Sequence, residues 1–215
     1  MESRILDIID VTDSTYVLQF ERNSIEFDPG QHLHLGLPAM VDLREYSVYS
    51  GAGDDYFEVL VKEIDEGTVS RQLRLPRIGE PVQVHGPYGF FTLKSGSEHQ
   101  RYIFIATGTG IAPFHSIVRS NPDLDYQLIH GIRNTEERYG HDSFAPERIT
   151  TCVSGAETAE PADRKGRVTS YLQNSEIDPN VSYYLCGGCD MIYEVYDILK
   201  DAGVSTQNVF AEVYF

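Results

Sequence analysis

The sequence predicts two consecutive domains: an antiparallel β-barrel with one helix over residues 1–95, and an α/β domain with a parallel sheet over residues 96–215. Two observations predict this division. Up to about Thr92, short segments alternate apolar and polar residues between turn residues, which is typical of antiparallel strands. After Gln100, continuous apolar runs alternate with helical patterns, which is typical of strands buried on both faces of a parallel sheet.

The first domain is predicted from its strand segments and one helix. The helix is expected to open near Thr68 and to stop at Pro76, because proline supplies no backbone donor. It would carry Val69, Leu73 and Leu75 into the interior. The strand segments around it indicate a small barrel, and they comprise residues 16–20, 31–35, 56–61 and 79–84.

The second domain is predicted from buried strands and a final helix. This helix extends from about Asp190 to Asp201 and ends at Gly203, a residue type that favours a helix C-terminus. One stripe of the helix is apolar, and it is formed by Ile192, Val195, Tyr196 and Leu199. The strand segments are residues 102–106, 126–130, 149–153, 182–186 and 208–215.

Composition limits location and partners. The sequence has 215 residues, 41% of them hydrophobic, and no apolar run approaches the roughly 18 residues that span a bilayer. Because the first residues lack an apolar leader segment, we expect a cytoplasmic protein without membrane insertion. The net charge of −16, from 33 acidic and 17 basic residues, argues against nucleic acid as a partner.

The cysteines, Cys152, Cys186 and Cys189, are three in number and cannot form an even set of disulfides, which favours a reducing compartment. They are also too few for a four-cysteine zinc or iron-sulfur site, and we expect no metal. The last two have the spacing of a redox pair. The alternative, favoured by the intervening glycines, is a strand-to-helix turn that lines a ligand cleft.

A glycine-rich turn follows the first predicted strand of the second domain. Residues 106–113, Ala-Thr-Gly-Thr-Gly-Ile-Ala-Pro, connect this strand to a helix. Glycines let the backbone approach a pyrophosphate, and the helix N-terminus presents N–H groups to its charge. A purely structural turn is the alternative, but the strand, turn and helix together favour a dinucleotide site.

Two motifs of the first domain indicate a dinucleotide that carries a flat ring. Residues 44–47, Arg-Glu-Tyr-Ser, begin a strand, and residues 67–70, Gly-Thr-Val-Ser, open the helix. An arginine can bind a phosphate, a tyrosine can face an aromatic ring, and a helix N-terminus suits a second phosphate oxygen. Each also has a simpler interpretation: Arg44 as a surface ion pair, Tyr46 as barrel core and Ser70 as a helix cap.

Four motifs occur in order along nearly the whole chain: Arg-x-Tyr-Ser, Gly-x-x-Ser, Gly-Thr-Gly-Ile-Ala-Pro and Cys-Gly-x-x-x-Met. In this combination the sequence resembles the ferredoxin-NAD(P) reductase superfamily. The resemblance implies an FAD-binding barrel, an NAD(P)-binding α/β domain, and hydride transfer to flavin N5 across the cleft between them. The implied oxidoreductase moves electrons between NAD(P)H and a separate one-electron carrier such as ferredoxin or flavodoxin.

The resemblance also implies residue roles. Arg44 and Ser70 would bind the FAD pyrophosphate, and Tyr46 would pack on the flavin. Ser47 and Glu212 would tune or protonate the flavin as catalytic residues, with Cys186 at the nicotinamide ring. The implied FAD contacts are Arg44, Tyr46, Ser47, Tyr49, Gly67, Thr68, Val69 and Ser70, with Tyr214 or Phe215 over the isoalloxazine. The implied NAD(P) contacts are Thr107, Gly108, Thr109, Gly110, Arg133, Cys186, Gly187 and Met191.

The sequence departs from the superfamily pattern where NADP-preferring members carry an arginine after a serine. Here Ser154 is followed by Gly155, which puts a preference for NADP in doubt, because a 2′-phosphate calls for a guanidinium. Arg133, Arg164 or Lys165 could substitute, and with them the sequence slightly favours NADPH.

The electron acceptor is expected to be a separate protein, because no cysteine cluster for a plant-type [2Fe-2S] domain is present. Arg71, Arg74 and Arg77 are candidates for a basic docking patch on this acidic chain, or else form an ordinary solvated face. Two other functions stay open: a free-flavin or ferric reductase, and an electron-transfer subunit of a larger oxidoreductase complex.

Overall fold

A computed structural model divides the chain into two compact units. The first unit comprises Met1–Leu93 with Ala112–Asn121, and the second comprises Lys94–Ile111 with Pro122–Phe215. The domain boundary near residue 95 stays a prediction. The residues that the structure describes are 1–38, 40–64, 68–94, 101–155, 160 and 162–214.

The first unit contains an antiparallel sheet, and among the described residues its strand order is β4-β3-β6-β1-β2-β5. An antiparallel bridge between Val48 and Val59 links the chain just beyond β4 to β5, so the two ends of the sheet meet. The antiparallel first domain is therefore confirmed. Its strands are β1 (Glu2–Thr12), β2 (Thr15–Glu21), β3 (His32–Gly36), β4 (Arg44–Ser47), β5 (Tyr56–Lys62) and β6 (Pro81–Tyr88).

The predicted helix of the barrel is short, with α1 spanning Thr68–Gln72. Val69 and Leu73 are buried as predicted, but the inward placement of Leu75 is wrong, because its side chain is 76% exposed. The physical reason is that the helix ends at Gln72. The Leu75 amide donates to the Gln72 carbonyl in a tight turn, so the helical period no longer sets its direction.

A second helix, α2 (Ala112–Ser120), follows the glycine-rich turn and packs in the first unit. The Ser116 hydroxyl donates to the Ser50 carbonyl at 2.7 Å, and the Ser120 hydroxyl accepts from the Ala52 amide at 2.8 Å. The sequence predicts a helix after the turn, and the structure confirms it. Its membership of the barrel unit has no counterpart in the sequence pattern.

The second unit contains a parallel sheet, and its described strands lie in the order β10-β9-β8-β7-β11-β12. This confirms the predicted α/β architecture. Its strands are β7 (Tyr102–Thr107), β8 (Tyr126–Ile132), β9 (Ile149–Val153), β10 (Arg164–Lys165), β11 (Ser182–Gly188) and β12 (Val209–Tyr214). Its helices are α3 (Val168–Gln173) and α4 (Cys189–Asp201), with 3₁₀ turns at Gly108–Ile111, Thr135–Glu137, His141–Ser143, Pro146–Arg148 and Thr206–Asn208.

Helix α4 buries the apolar stripe that the sequence predicts, except that Tyr196 is only half-buried. Within the described chain, no helix combines the length and the apolar character needed to cross a membrane.

The order of the strands in the second sheet determines where its ligand site lies. From β7 the chain continues to β8 on one side, while β11 lies on the other, so the strand order reverses at the carboxyl end of β7. Open α/β sheets bind ligands at such a switch point.

Candidate functional site

The glycine-rich turn lies at this switch point, where the 3₁₀ segment Gly108–Ile111 follows β7. Glycine is needed at two positions of the site, because a Cβ atom there would overlap with backbone or side-chain oxygen atoms. A Cβ on Gly110 would lie 2.4 Å from the Cys186 carbonyl oxygen, and a Cβ on Gly187 would lie 2.2 Å from Thr107 Oγ1. Gly187 also has φ +138°, a conformation that favours glycine. The two glycines therefore permit the ends of β7 and β11 to meet closely.

A cavity of about 300 Å³ opens beside this turn, at the carboxyl ends of β7, β8 and β9. It is lined by several residues predicted from the sequence, namely Thr107, Gly108, Arg133 and Met191. Ser154, the serine of the coenzyme-preference pattern, lines it as well. Further lining residues have no counterpart among the predicted contacts, among them Gly166, Arg167 and Glu194. Arg167 immediately precedes α3, and no motif marks it. The only signal for it was its place after the short basic pair of β10.

The cavity suits a nicotinamide dinucleotide. Asp190 and Met191, in the first turn of α4, line it, so the positive end of that helix dipole lies at the cavity. Arg133 and Arg167 add cationic groups, while Glu137, Asp190 and Glu194 add carboxylates. Phosphates and ribose hydroxyls call for these two kinds of partner.

Gly155 explains the missing arginine after Ser154. A Cβ at this position would lie 2.3 Å from the Arg133 carbonyl oxygen, to which the Gly155 amide already donates at 2.8 Å. An arginine could enter only if the backbone moved. Of the proposed substitutes, Arg133 lines the cavity, whereas Arg164 and Lys165 are exposed on β10 and lie outside the cavity lining.

A pair of hydrogen-bonded histidines contacts the backbone of the glycine-rich turn. His130 Nε2 lies 2.9 Å from the Gly108 carbonyl oxygen, and His130 Nδ1 lies 2.8 Å from His141 Nε2. Since a carbonyl only accepts, His130 donates through Nε2 and accepts from His141 through Nδ1. Burial lowers the pKa of His130 to about 4 and that of His141 to about 3, so both rings are neutral near pH 7. No motif in the sequence marks this pair.

In the first unit, the Arg-x-Tyr-Ser motif forms β4. Arg44 and Tyr46 alternate with Glu45 along the strand and therefore share one face. The Arg44 guanidinium is exposed and donates to the Leu43 carbonyl, while burial raises the pKa of the half-buried Tyr46 to about 12. Ser47 is buried at the end of the strand. An exposed cation and an aromatic ring on one face fit a dinucleotide with a flat ring.

The predicted FAD contacts of helix α1 are only partly exposed. Ser70 is buried, and its hydroxyl accepts from the amide of Ile64, a residue that precedes the helix, at 3.3 Å. Val69 is buried in the core and Thr68 is exposed. The predicted contacts Gly67 and Phe215 lie outside the described residues. Pyrophosphate binding by this segment stays a prediction.

Comparison with known proteins identifies both halves of the chain. An oxidoreductase FAD-binding domain family matches residues 4–93, and an oxidoreductase NAD-binding domain family matches residues 104–197. The chain belongs to the ferredoxin-NAD(P) reductase superfamily. The predicted cofactors, FAD and a nicotinamide dinucleotide, are confirmed with it, as is the class of flavoprotein oxidoreductase.

Relatives within the superfamily differ in length. Ferredoxin-NADP reductase B of Sorangium cellulosum is 26% identical over 237 residues, which cover 99% of this chain and 97% of that protein. The electron transfer component of toluate 1,2-dioxygenase from Pseudomonas putida is 27% identical, and the match covers 99% of this chain and 67% of the relative. The corresponding component of 2-halobenzoate 1,2-dioxygenase from Burkholderia cepacia is 28% identical, with 89% and 60% covered.

Solved structures show the same fold. A ferredoxin NADP⁺ reductase from Neisseria gonorrhoeae, crystallised with FAD and NADP, matches with a TM-score of 0.91 at 23% identity. The match covers 100% of this chain and 98% of that chain. The two proteins therefore share the same fold.

Cys186, which the superfamily resemblance places at the nicotinamide ring, and Glu212, which it places near the flavin, lie on the neighbouring strands β11 and β12. Cys186 is opposite Glu212 in the parallel register, and Gly188 is opposite Tyr214. Cys186 is fully buried, and burial, together with the Glu212 carboxylate, raises the pKa of its thiol well above the usual range. A protonated, buried thiol is a poor nucleophile, which argues against a redox pair with Cys189. The catalytic roles of Cys186 and Glu212 stay predictions.

Tyr49, a predicted FAD contact, is buried and stacks on His115 of α2, with ring centroids 3.7 Å apart. This placement favours a packing role over a contact with the flavin.

Arg74, one of the three arginines of the candidate docking patch, forms ion pairs with Asp10 and Glu63 at 2.5 and 2.6 Å. Its charge is therefore already balanced within the chain, which weakens the case for an acceptor patch there.

Proposed function

We propose that this chain oxidises NADPH through FAD held by the first unit and delivers the electrons singly to a separate carrier protein, a ferredoxin or flavodoxin. The observation that carries the proposal is the cavity beside the glycine-rich turn, whose arginines suit phosphate and whose position at the switch point suits a dinucleotide. Bound FAD supplies the capacity to accept two electrons as hydride and to release them one at a time.

The chain's own residues bind and orient in this scheme. Arg44 would hold a phosphate of the FAD, and Tyr46 would pack against its flat ring. The Ser47 hydroxyl would be a hydrogen-bond donor to the flavin, and Glu212 would hold the proton that accompanies the electrons. The cavity at the end of β7 holds the nicotinamide dinucleotide by its phosphates, with the amides of the turn and of α4 as donors.

The choice of NADPH depends on Arg133 and Arg167. We expect the double variant Arg133→Ala/Arg167→Ala to raise the KM for NADPH by about tenfold or more, which corresponds to roughly 1.4 kcal/mol, and to leave the KM for NADH unchanged. The matched control is Arg164→Ala/Lys165→Ala, which removes two exposed cations outside the cavity. Equal effects on both coenzymes, or an effect of the control pair alone, would contradict the assignment.

The similarity to dioxygenase electron transfer components favours a second candidate, in which the acceptor is an oxygenase component. The matches cover 67% and 60% of these two relatives, and the three cysteines of this chain cannot supply a four-cysteine cluster.

The decisive experiment is an anaerobic titration of the purified protein with NADPH and then NADH, followed at the flavin band at about 450 nm. We expect bleaching by NADPH and reoxidation on addition of oxidised ferredoxin or flavodoxin. A colourless protein that accepts free flavin as substrate would favour a flavin reductase. Reoxidation only by an oxygenase component would favour the second candidate.

A further inference from the structure

A cluster of potential metal-binding side chains lies on the outer face of the first unit, and on β4 it uses the face opposite to that of Arg44 and Tyr46. His32 and His34 are two residues apart on β3 and therefore point to the same side of the sheet. Leu33 and Leu35 point to the opposite side, where both are fully buried in the core. Directly opposite His34 on β4 is Glu45.

These three side chains converge. One ring nitrogen from each histidine and one carboxylate oxygen of Glu45 all lie within 4.8 Å of one another. His34 Nε2 is 3.4 Å from Glu45 Oε1. Tetrahedral zinc with ligand distances near 2.0–2.1 Å requires ligand atoms about 3.3 Å apart, so small rotations of the side chains would complete the geometry.

The rings are held in place by their neighbours. The two imidazoles stack with centroids 5.5 Å apart and planes 11° apart. Tyr88 packs against both rings, at 4.9 Å from His34 and 6.2 Å from His32.

We propose that His32, His34 and Glu45 bind a divalent transition metal ion of the zinc class, with water completing the coordination. Two imidazoles and one carboxylate suit zinc, whereas magnesium and calcium prefer an all-oxygen set. The prediction of no metal was based on the number of cysteines. The His-x-His pair on a strand was the signal, and the cross-strand glutamate became visible only with the register.

The test uses the FAD-loaded protein without an affinity tag, titrated with Zn²⁺ by calorimetry and with Co²⁺ by absorption above the flavin band. We expect one equivalent of Zn²⁺ to bind and Co²⁺ to give a tetrahedral spectrum. His34→Gln and Glu45→Gln should each weaken Zn²⁺ binding by about tenfold or more, or roughly 1.4 kcal/mol. The carboxylate variant is expected to fold normally, because the Glu45 side chain is 71% exposed.

The matched control is His85→Gln. His85 lies opposite His34 on β6, but it is not one of the three clustered ligands. It should retain the affinity of the unmodified protein. FAD content and circular dichroism confirm that each variant is folded. Unchanged Zn²⁺ affinity in both His34→Gln and Glu45→Gln, or an equal loss in His85→Gln, would overturn the proposal.

Discussion

The close contact between Gly187 and Thr107 makes one substitution unusually informative. Gly187→Ala combines φ +138° with a Cβ 2.2 Å from Thr107 Oγ1, so we expect a loss of at least about 2 kcal/mol in the free energy of unfolding, together with a higher KM for the nicotinamide dinucleotide. Chemical denaturation and steady-state kinetics measure the two effects.

Gly188→Ala is the matched control for this variant. A methyl group added at this neighbouring position would meet no atom within 4 Å beyond the adjacent residues, and the φ of −63° is ordinary. Its stability and KM should stay within about 0.5 kcal/mol and about twofold of the unmodified protein. Similar losses in both variants would mean that the close contact does not determine the geometry of the turn.

The neutral pair His130 and His141 predicts how stability depends on pH. Both folded-state pKa values, about 4 and about 3, lie below the value of roughly 6.5 for an unfolded histidine. Between pH 6.5 and 4 the unfolded chain therefore binds more protons, and stability falls as the pH falls. Each histidine contributes up to about 1.4 kcal/mol per pH unit in this window.

The double variant His130→Gln/His141→Gln tests this prediction. Denaturant unfolding at several pH values between 4.5 and 7 should show a shallower decline than in the unmodified protein, whatever the stability at pH 7. Glutamine at position 130 can still donate to the Gly108 carbonyl, which keeps the turn in place. An unchanged slope would contradict the assignment of neutral rings.

Residues of the site could be predicted where a motif marks them, as with Gly108 and Gly110. Arg167 and the histidine pair could not, because their neighbours come from other strands and only the parallel register brings them to the turn. Tyr49 shows the opposite case. The sequence places it on the strand of the FAD motif, but helix α2 covers its ring.

Two ion pairs connect helix α2 to the rest of the first unit. Arg119 pairs with Asp54 at 2.8 Å and with Glu58 at 3.2 Å, and the Glu58 side chain is only 10% exposed. Arg119→Met would leave this buried carboxylate without its cation. We expect a loss of about 3 kcal/mol in the free energy of unfolding.

Arg74→Met provides the comparison by denaturant unfolding. Arg74 also pairs with two carboxylates, but Asp10 is 70% exposed, so the expected loss is about 1 kcal/mol or less. Comparable losses for the two variants would mean that burial of the α2 contact has no energetic consequence.

Strands were the most predictable elements, because alternation and continuous apolar runs mark β2, β5, β7 and β11 directly. Helix ends were less predictable. The expected stop of α1 at Pro76 came too late, because the chain left the helix at Gln72 through a turn that the pattern does not mark. The assignment of α2 to the barrel depends on long-range packing, which no local periodicity encodes.

The net charge of −16 predicts how electron delivery responds to salt. With a basic acceptor protein, kcat/KM should fall as ionic strength rises from about 0.01 to about 0.5 M, because screening removes attraction. With an acidic ferredoxin it should rise over the same range. A small neutral dye is the control and should show little change. Opposite trends would indicate a local basic surface that dominates the encounter.

The barrel unit is discontinuous along the chain, since α2 belongs to it while residues 94–111 do not. Recombination between relatives at a single crossover near residue 95 would therefore transfer a barrel and leave its helix with the other parent. The Tyr49–His115 and Ser50–Ser116 partners would then come from different lineages. Successful chimeras should therefore inherit residues 1–93 and 112–121 from the same parent. The glycine-rich turn lies between these two segments, so its sequence would have to be compatible with both parents.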